Sequence, residues 1–271
     1  MSNVCAVIAG AGTFPLHVAE AAKRQGFRVV AIGLAGWADA SLARCADVYE
    51  VVSVGELGRL LERLQAHHVQ QAVMAGKVTK DVLFDARTRF DAEALSIVQR
   101  ATSFSVNSLL GAIGERLAKQ GIQLLDSSTF LKDDVCPAGV LTARAPTPAE
   151  RVDIQVGMEA ARQLARLDIG QTVVVKRKVV VAVEALEGTD ATMRRAGELA
   201  GGEGLVMVKM ASPAHDMRFD LPVLGMTTLE VAKASGVACL AVEAGKALLL
   251  RREALLAHAN EAQFCIVGVE G

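Results

Sequence analysis

Lys209, Asp216, Arg218 and Asp220 fall in one short stretch, Lys209-Met-Ala-Ser-Pro-Ala-His-Asp216-Met-Arg218-Phe-Asp220-Leu-Pro222. Carboxylate oxygens are hard ligands suited to Mg²⁺, and Lys and Arg neutralise charge that builds on phosphoryl oxygens, so this set points to phosphate chemistry. The apolar run Leu205-Val-Met-Val leads into it and Leu221-Pro-Val-Leu-Gly225 closes it. That pattern reads as a strand emptying into a loop, where functional residues concentrate. The competing reading is a solvated loop with ordinary surface ion pairs.

A second acidic group lies in Ala182-Val-Glu184-Ala-Leu-Glu187-Gly188-Thr189-Asp190. Glu187 and Asp190 flank a Gly-Thr turn that opens a helix, where backbone donors favour phosphate and Thr189 can serve as cap. Complementing the helix dipole would also account for both acids. It leaves Glu184 at a strand end beside apolar neighbours, with no partner in the local sequence.

A third group is glycine-rich. Val4-Cys-Ala-Val-Ile-Ala9 runs into Gly10-Ala-Gly12-Thr13-Phe-Pro15 and then a helical pattern. Another strand, Gln70-Gln-Ala-Val-Met-Ala75, ends at Gly76-Lys77. In parallel α/β sheets ligands sit beyond the carboxyl ends of the strands, so Gly10, Gly12, Thr13 and Gly76 are candidate nucleotide or phosphate contacts. A tight turn explains Gly76 equally well. Pro15 occupies the place of the third glycine of the dinucleotide fingerprint, and Arg28-Val-Val-Ala-Ile-Gly33 lacks the acidic residue that binds a ribose of NAD. The reading is therefore a Rossmann-like fold without NAD.

The elements that must position these groups alternate. Strands are expected at 47–52, 70–75 and 123–126, a helix at 55–66, and helical sequence over 92–120 with an interruption near 103–108. This is the pattern of a parallel sheet. Prolines 137, 146 and 148 with Gly139 mark a junction. The expected organisation is a Rossmann-like N-terminal domain over 1–130, a linker over 131–148 and a distinct α/β C-terminal domain over 149–271 that carries the main acidic motifs. In that second half Thr147, Pro148 and Glu150 predict a capped helix start, and a hairpin is expected around Lys176-Arg-Lys178. A helix follows from Thr189, another spans 227–235, strands fall at 237–242, 247–250 and 264–267, and a short helix starts at Arg252.

Composition excludes several classes. Lys plus Arg number 29 against 30 Asp plus Glu, a net charge of -1, so no basic field recommends nucleic acid as a partner. The hydrophobic fraction is 52%, yet no uncharged apolar run approaches the roughly 18–20 residues that span a bilayer. The N-terminus lacks a basic segment before its apolar part, so no signal peptide and a cytoplasmic location are expected. Five cysteines without a Cys-x-x-Cys suggest neither a disulfide framework nor a zinc site.

Taken together, Ile8-Ala-Gly-Ala-Gly-Thr-Phe-Pro15, Ala75-Gly-Lys-Val78, Ala165 to Gln171 with its Leu-Asp-Ile-Gly-Gln, Ala182 to Asp190, Val208-Lys209, Asp216 to Pro222 with Gly225, and Ala241-Val-Glu-Ala-Gly245 resemble the LpxI family of UDP-2,3-diacylglucosamine pyrophosphatases. The resemblance runs over nearly the whole chain. It implies a Rossmann-like N-terminal domain, a distinct C-terminal domain, a homodimer, and Mg²⁺-dependent hydrolysis of UDP-2,3-diacylglucosamine to lipid X and UMP in lipid A biosynthesis. Asp220 matches the aspartate of the family's Asp-Leu-Pro motif. The chain departs from the family at Ser105-Val-Asn107-Ser-Leu-Leu110, where relatives often read Gly-Asp-Asp-x-Leu-Leu, and at His215, where they often have Gln.

On this reading Asp220 holds metal or orients the attacking water. Glu187 and Asp190 join it as metal ligands, Asp216 is a further carboxylate, and Lys209 and Arg218 are charge clamps. Aromatics at 4% suit an aliphatic groove for the acyl chains, and peripheral contact with the inner membrane is expected of an enzyme with such a substrate. The alternative is a non-catalytic nucleotide- or lipid-binding regulatory protein of the same fold.

Overall fold

The computed structural model describes residues 3–78, 88–100, 106–212, 216–219 and 221–271. The chain divides into two units, Met1–Lys132 with Asp216–Asp220, and Asp133–His215 with Leu221–Gly271.

The first unit holds β1 (Val4–Ala9), α1 (Phe14–Arg24), β2 (Arg28–Leu34), α2 (Leu42–Cys45), β3 (Val48–Val52), α3 (Leu57–Ala66), β4 (Gln71–Ala75), α4 (Ala92–Arg100), α5 (Val106–Ala118) and β5 (Gln123–Leu124). The strands form one sheet in the order β3-β2-β1-β4-β5, every pair parallel. This is the Rossmann order 3-2-1-4-5-6 through its fifth strand. β1 and β2 are near-continuous apolar runs, as strands covered on both faces must be. Leu57, Leu60, Leu61 and Leu64 recur at helical spacing on α3 and pack with Ala6, Ile8, Val30 and Ile32. Proline lies in the first turn of α1, where its missing N–H costs no helical hydrogen bond.

The second unit holds β6 (Gly139–Val140), α6 (Pro148–Arg166), β7 (Thr172–Lys176), β8 (Val179–Val183), α7 (Thr189–Ala200), β9 (Leu205–Lys209), β10 (Val223–Leu224), α8 (Met226–Ala234), β11 (Val237–Glu243), β12 (Leu248–Leu249), α9 (Arg252–Glu261) and β13 (Cys265–Val269). Its main sheet runs β6-β13-β11-β9-β7-β8, parallel across β13, β11 and β9 and antiparallel toward both edges. Alternate residues go to opposite faces. Val174, Leu205, Met207, Leu240 and Ile266 meet Met193, Leu229 and Leu255 from α7, α8 and α9, whereas Val173, Val206, Val208, Ala241 and Val267 meet Ile154 and Ala161 of α6. The start of α6 carries the expected cap: Thr147 Oγ1 accepts from the Glu150 N–H at 3.2 Å and Glu150 Oε2 accepts from the Thr147 N–H at 2.7 Å.

Two segments lie elsewhere than the sequence suggests. Residues of the expected linker from Asp133 onward belong to the second unit: Cys136 is wholly buried, its N–H donates to Ala247 O at 2.8 Å, and Gly139–Val140 pairs with β13. Asp216–Asp220, which sequence order assigns to the C-terminal half, belongs to the first unit.

Candidate active site

At the carboxyl end of β9, Lys209 is only 8% exposed. Its Nζ donates to Thr189 Oγ1 at 2.7 Å and to Thr172 Oγ1 at 3.2 Å, and it stands 3.8 Å from Glu184 Oε2. Thr189 Oγ1 in turn donates to Glu184 Oε1 at 3.1 Å, and the Gln171 N–H reaches Glu184 Oε2 at 3.4 Å. Strand pairing makes this cluster: β7 is antiparallel to both β8 and β9, so Thr172 at its start faces Lys209 at the end of β9 and lies beside the residue that follows β8. Burial pushes the Glu184 carboxyl up, but the Lys209 charge and the hydrogen bonds from Thr172, Thr189 and the Gln171 backbone outweigh it and hold the group below the ordinary value. Glu184 therefore has the partner its local sequence lacked. Thr189 does not cap α7: Gly188 is the cap residue, Thr189 is the first helical residue, and its hydroxyl serves Lys209 and Glu184.

The other acids of that segment are placed differently. Glu187 is exposed; its Oε1 accepts from Arg195 Nη2 at 2.6 Å and its Oε2 accepts from the Ala185 N–H at 3.0 Å. Asp190 lies half-buried in the first turn of α7. Among the described residues no three His, Cys, Asp or Glu side chains form a group that could hold a metal ion. The described carboxylates thus do not by themselves make a cage for Mg²⁺. Asp220, the expected third ligand, lies outside the described residues, as do His215 and Ser105.

In the first unit the glycine loop is held by its neighbour. Gly10 N–H donates to Ala75 O at 2.8 Å, and Ala11 and Lys77 exchange backbone hydrogen bonds at 2.8 and 3.0 Å. A Cβ on Gly10 would stand 2.7 Å from Lys77 O, and one on Gly76, whose φ is 89°, would stand 2.7 Å from Ala11 O. These two glycines let two loops touch. The Gly10 and Ala11 N–H groups are both spent in that contact. Gly12 and Thr13 remain exposed beyond it, and the Thr13 side chain makes no capping bond.

Met217 and Arg218 are tied to the same end of this sheet. Ser127 Oγ lies 2.8 Å from both Met74 O and Arg218 O, and the Ser127 N–H donates to Met217 O at 2.9 Å. Arg218 grips Asp216 with Nε on Oδ1 at 2.9 Å and Nη2 on Oδ2 at 2.6 Å, while its backbone N–H also donates to Oδ1 at 3.0 Å. The hydrogen bond to Asp216 raises the Arg218 guanidinium further above its usual value. Asp216 and Arg218 are thus one fixed pair with a half-exposed cation. Sequence reasoning named both members and missed Ser127, whose only signal was its place just after the last strand of the first sheet.

These features define a two-unit α/β protein: one unit is Rossmann-like with a close-packed glycine loop, and the other buries a lysine and a carboxylate at the end of a mixed sheet. Residues 4–133 match the LpxI N-terminal domain and residues 137–267 the LpxI C-terminal domain. The chain belongs to the LpxI family. It is 31% identical over 277 aligned residues to the UDP-2,3-diacylglucosamine pyrophosphatase LpxI of Caulobacter vibrioides, covering 97% of this chain and 96% of that one. Among solved structures, the Bordetella bronchiseptica enzyme WbmG in complex with NAD aligns at 16% identity and a TM-score of 0.31, over 45% of this chain and 36% of that one. UDP-glucose-4-epimerase from Stenotrophomonas maltophila aligns at 22% identity and 0.27, over 46% and 36%.

Proposed function

We propose that this protein hydrolyses the diphosphate of UDP-2,3-diacylglucosamine to UMP and 2,3-diacylglucosamine 1-phosphate, lipid X, in lipid A biosynthesis. The observation that carries the reading is the end-to-end match to the Caulobacter vibrioides enzyme, 97% of this chain on 96% of that one. Both LpxI domains are present in order.

In the reaction, water oxygen bonds to one phosphorus, the bond from that phosphorus to the bridging oxygen breaks, and the other phosphate leaves with the bridging oxygen. Each product keeps one phosphate and the water gives up a proton. Negative charge grows on the leaving phosphate, and fixed cations lower that barrier. Lys209 and Arg218 fill this role in the proposal. Asp220 orients the water or takes its proton, and Gly12 and Thr13 face the nucleotide. Asp216 holds Arg218 in place. Mg²⁺, when bound, would add charge neutralisation on the diphosphate, held by Asp220 and Asp190; Glu187, the other ligand expected from sequence, stays with Arg195 in this reading.

A homodimer, a cytoplasmic location and peripheral contact with the inner membrane complete the reading. Among the described residues no helix is long and apolar enough to cross a membrane. The test is incubation with UDP-2,3-diacylglucosamine and Mg²⁺, then separate assays of UMP and lipid X. Equimolar release supports the proposal; binding of the substrate without turnover would assign the protein to the regulatory alternative.

A further inference from the structure

The mechanism above uses Lys209 and leaves Glu184 without a role. A carboxylate with a side chain only 12% exposed has a substantial desolvation cost, and a purely architectural ion pair could be replaced as a pair by well-packed apolar residues at little loss. Glu184 instead holds both the Lys209 ammonium and the hydroxyl that the ammonium donates to. Thr189 Oγ1 gives its proton to Glu184 Oε1 at 3.1 Å and so presents a lone pair to Lys209 Nζ at 2.7 Å. Thr172 Oγ1 takes a second ammonium proton at 3.2 Å. An ammonium has three N–H donors. Two of its directions are fixed by the threonines, and fixing two fixes the third.

We propose that Glu184 is a positioning residue for the hydrolysis: through Thr189 it sets the direction of the remaining Lys209 donor, so that the ammonium meets the diphosphate already oriented. This inference rests on the function proposed above. It assigns to Glu184 a task that raises the rate without tightening ground-state binding, because Glu184 itself repels an anion while it aims the cation.

The test is a set of variants with two readouts. Glu184→Gln keeps the shape and loses the charge, and should lower kcat by at least about tenfold while KM stays the same or falls. Thr189→Val should lose activity in the same way, and Thr189→Ser, which restores the hydroxyl, should recover most of it. In a Lys209→Met background, Glu184→Gln should change kcat/KM less than about twofold, because its effect runs through the lysine. Thermal denaturation of each variant separates these losses from unfolding, and the threonine pair keeps the question open to test should Glu184→Gln fold poorly. Calorimetry with inorganic pyrophosphate supplies the second readout: Lys209→Met should bind it more weakly than wild type, and Glu184→Gln should not. Additive losses in the double variant, a raised KM with unchanged kcat in Glu184→Gln, or undiminished pyrophosphate binding by Lys209→Met would each overturn the inference. Absence of UMP release from the wild-type protein would overturn the substrate and leave the calorimetry to decide the role of Lys209.

Discussion

Lys209 Nζ and Glu184 Oε2 stand 3.8 Å apart around the Thr189 hydroxyl, both side chains nearly withdrawn from water. Such a pair is costly to break from one side, because the survivor is left charged and buried, at about 3–5 kcal/mol. It also makes stability depend on pH in a definite direction.

Glu184 is held below the ordinary carboxyl value in the folded protein, so the unfolded chain binds its proton more readily. Its contribution is fully present above the unfolded value of about 4.3 and is lost as pH falls through the folded one. Unfolding free energy measured between neutral pH and pH 3 should therefore fall less steeply in Glu184→Gln than in wild type. Parallel curves would show that the group does not contribute in this way.

The paired loops of the first unit predict an order among glycine substitutions. Gly76→Ala combines a φ of 89° with a Cβ 2.7 Å from Ala11 O, and Gly10→Ala meets Lys77 O at the same distance. Gly12→Ala has a φ of 93° but nothing within 4 Å, so only backbone strain of about 1–2 kcal/mol remains. Urea midpoints should rank Gly12→Ala as the mildest of the three; equal losses would contradict the loop contact.

Glu187 and Asp220 should behave differently. Glu187→Gln loses the ion pair to Arg195, an exposed contact worth at most about 1 kcal/mol, and should leave the Mg²⁺ concentration for half-activation within about twofold. Asp220→Ala should remove turnover by orders of magnitude while preserving the fold. A tenfold rise in the Mg²⁺ requirement of Glu187→Gln would make Glu187 a metal ligand, and near-normal kcat in Asp220→Ala would remove that residue from the mechanism.

The thiols should be quiet. Cys5, Cys136, Cys239 and Cys265 are buried, and burial pushes Cys5 up to about 12 and Cys136 up to about 11. A thiol reagent at neutral pH should label native protein at Cys45 alone and all five cysteines in denaturant. Rapid native labelling beyond Cys45 would mean that the cores open easily.

Local chemistry made much of this readable in sequence. The β1-to-α1 turn and the capped start of α6 are written in neighbouring residues, because caps, turns and periodicity act over a few positions. Pairings between distant residues are not written that way. Glu184 meets Lys209 only because β8, β7 and β9 are antiparallel neighbours, and Thr189 looked like a cap until that pairing gave its hydroxyl two other partners. Gly10 and Gly76 each read as a ligand contact, and the close approach of their two loops is a further reason for both that neither local sequence shows. The segment from Asp216 follows the second sheet in sequence and is fastened to the first by Ser127, which no local pattern encodes.

The most direct test of the central claim is hydrolysis of UDP-2,3-diacylglucosamine in ¹⁸O-labelled water, with both products weighed by mass spectrometry. Water-driven cleavage of the diphosphate predicts UMP and lipid X in equal amounts, with one ¹⁸O atom in one product and none in the other. No release above the enzyme-free control, or release of a product pair other than these two, would contradict it.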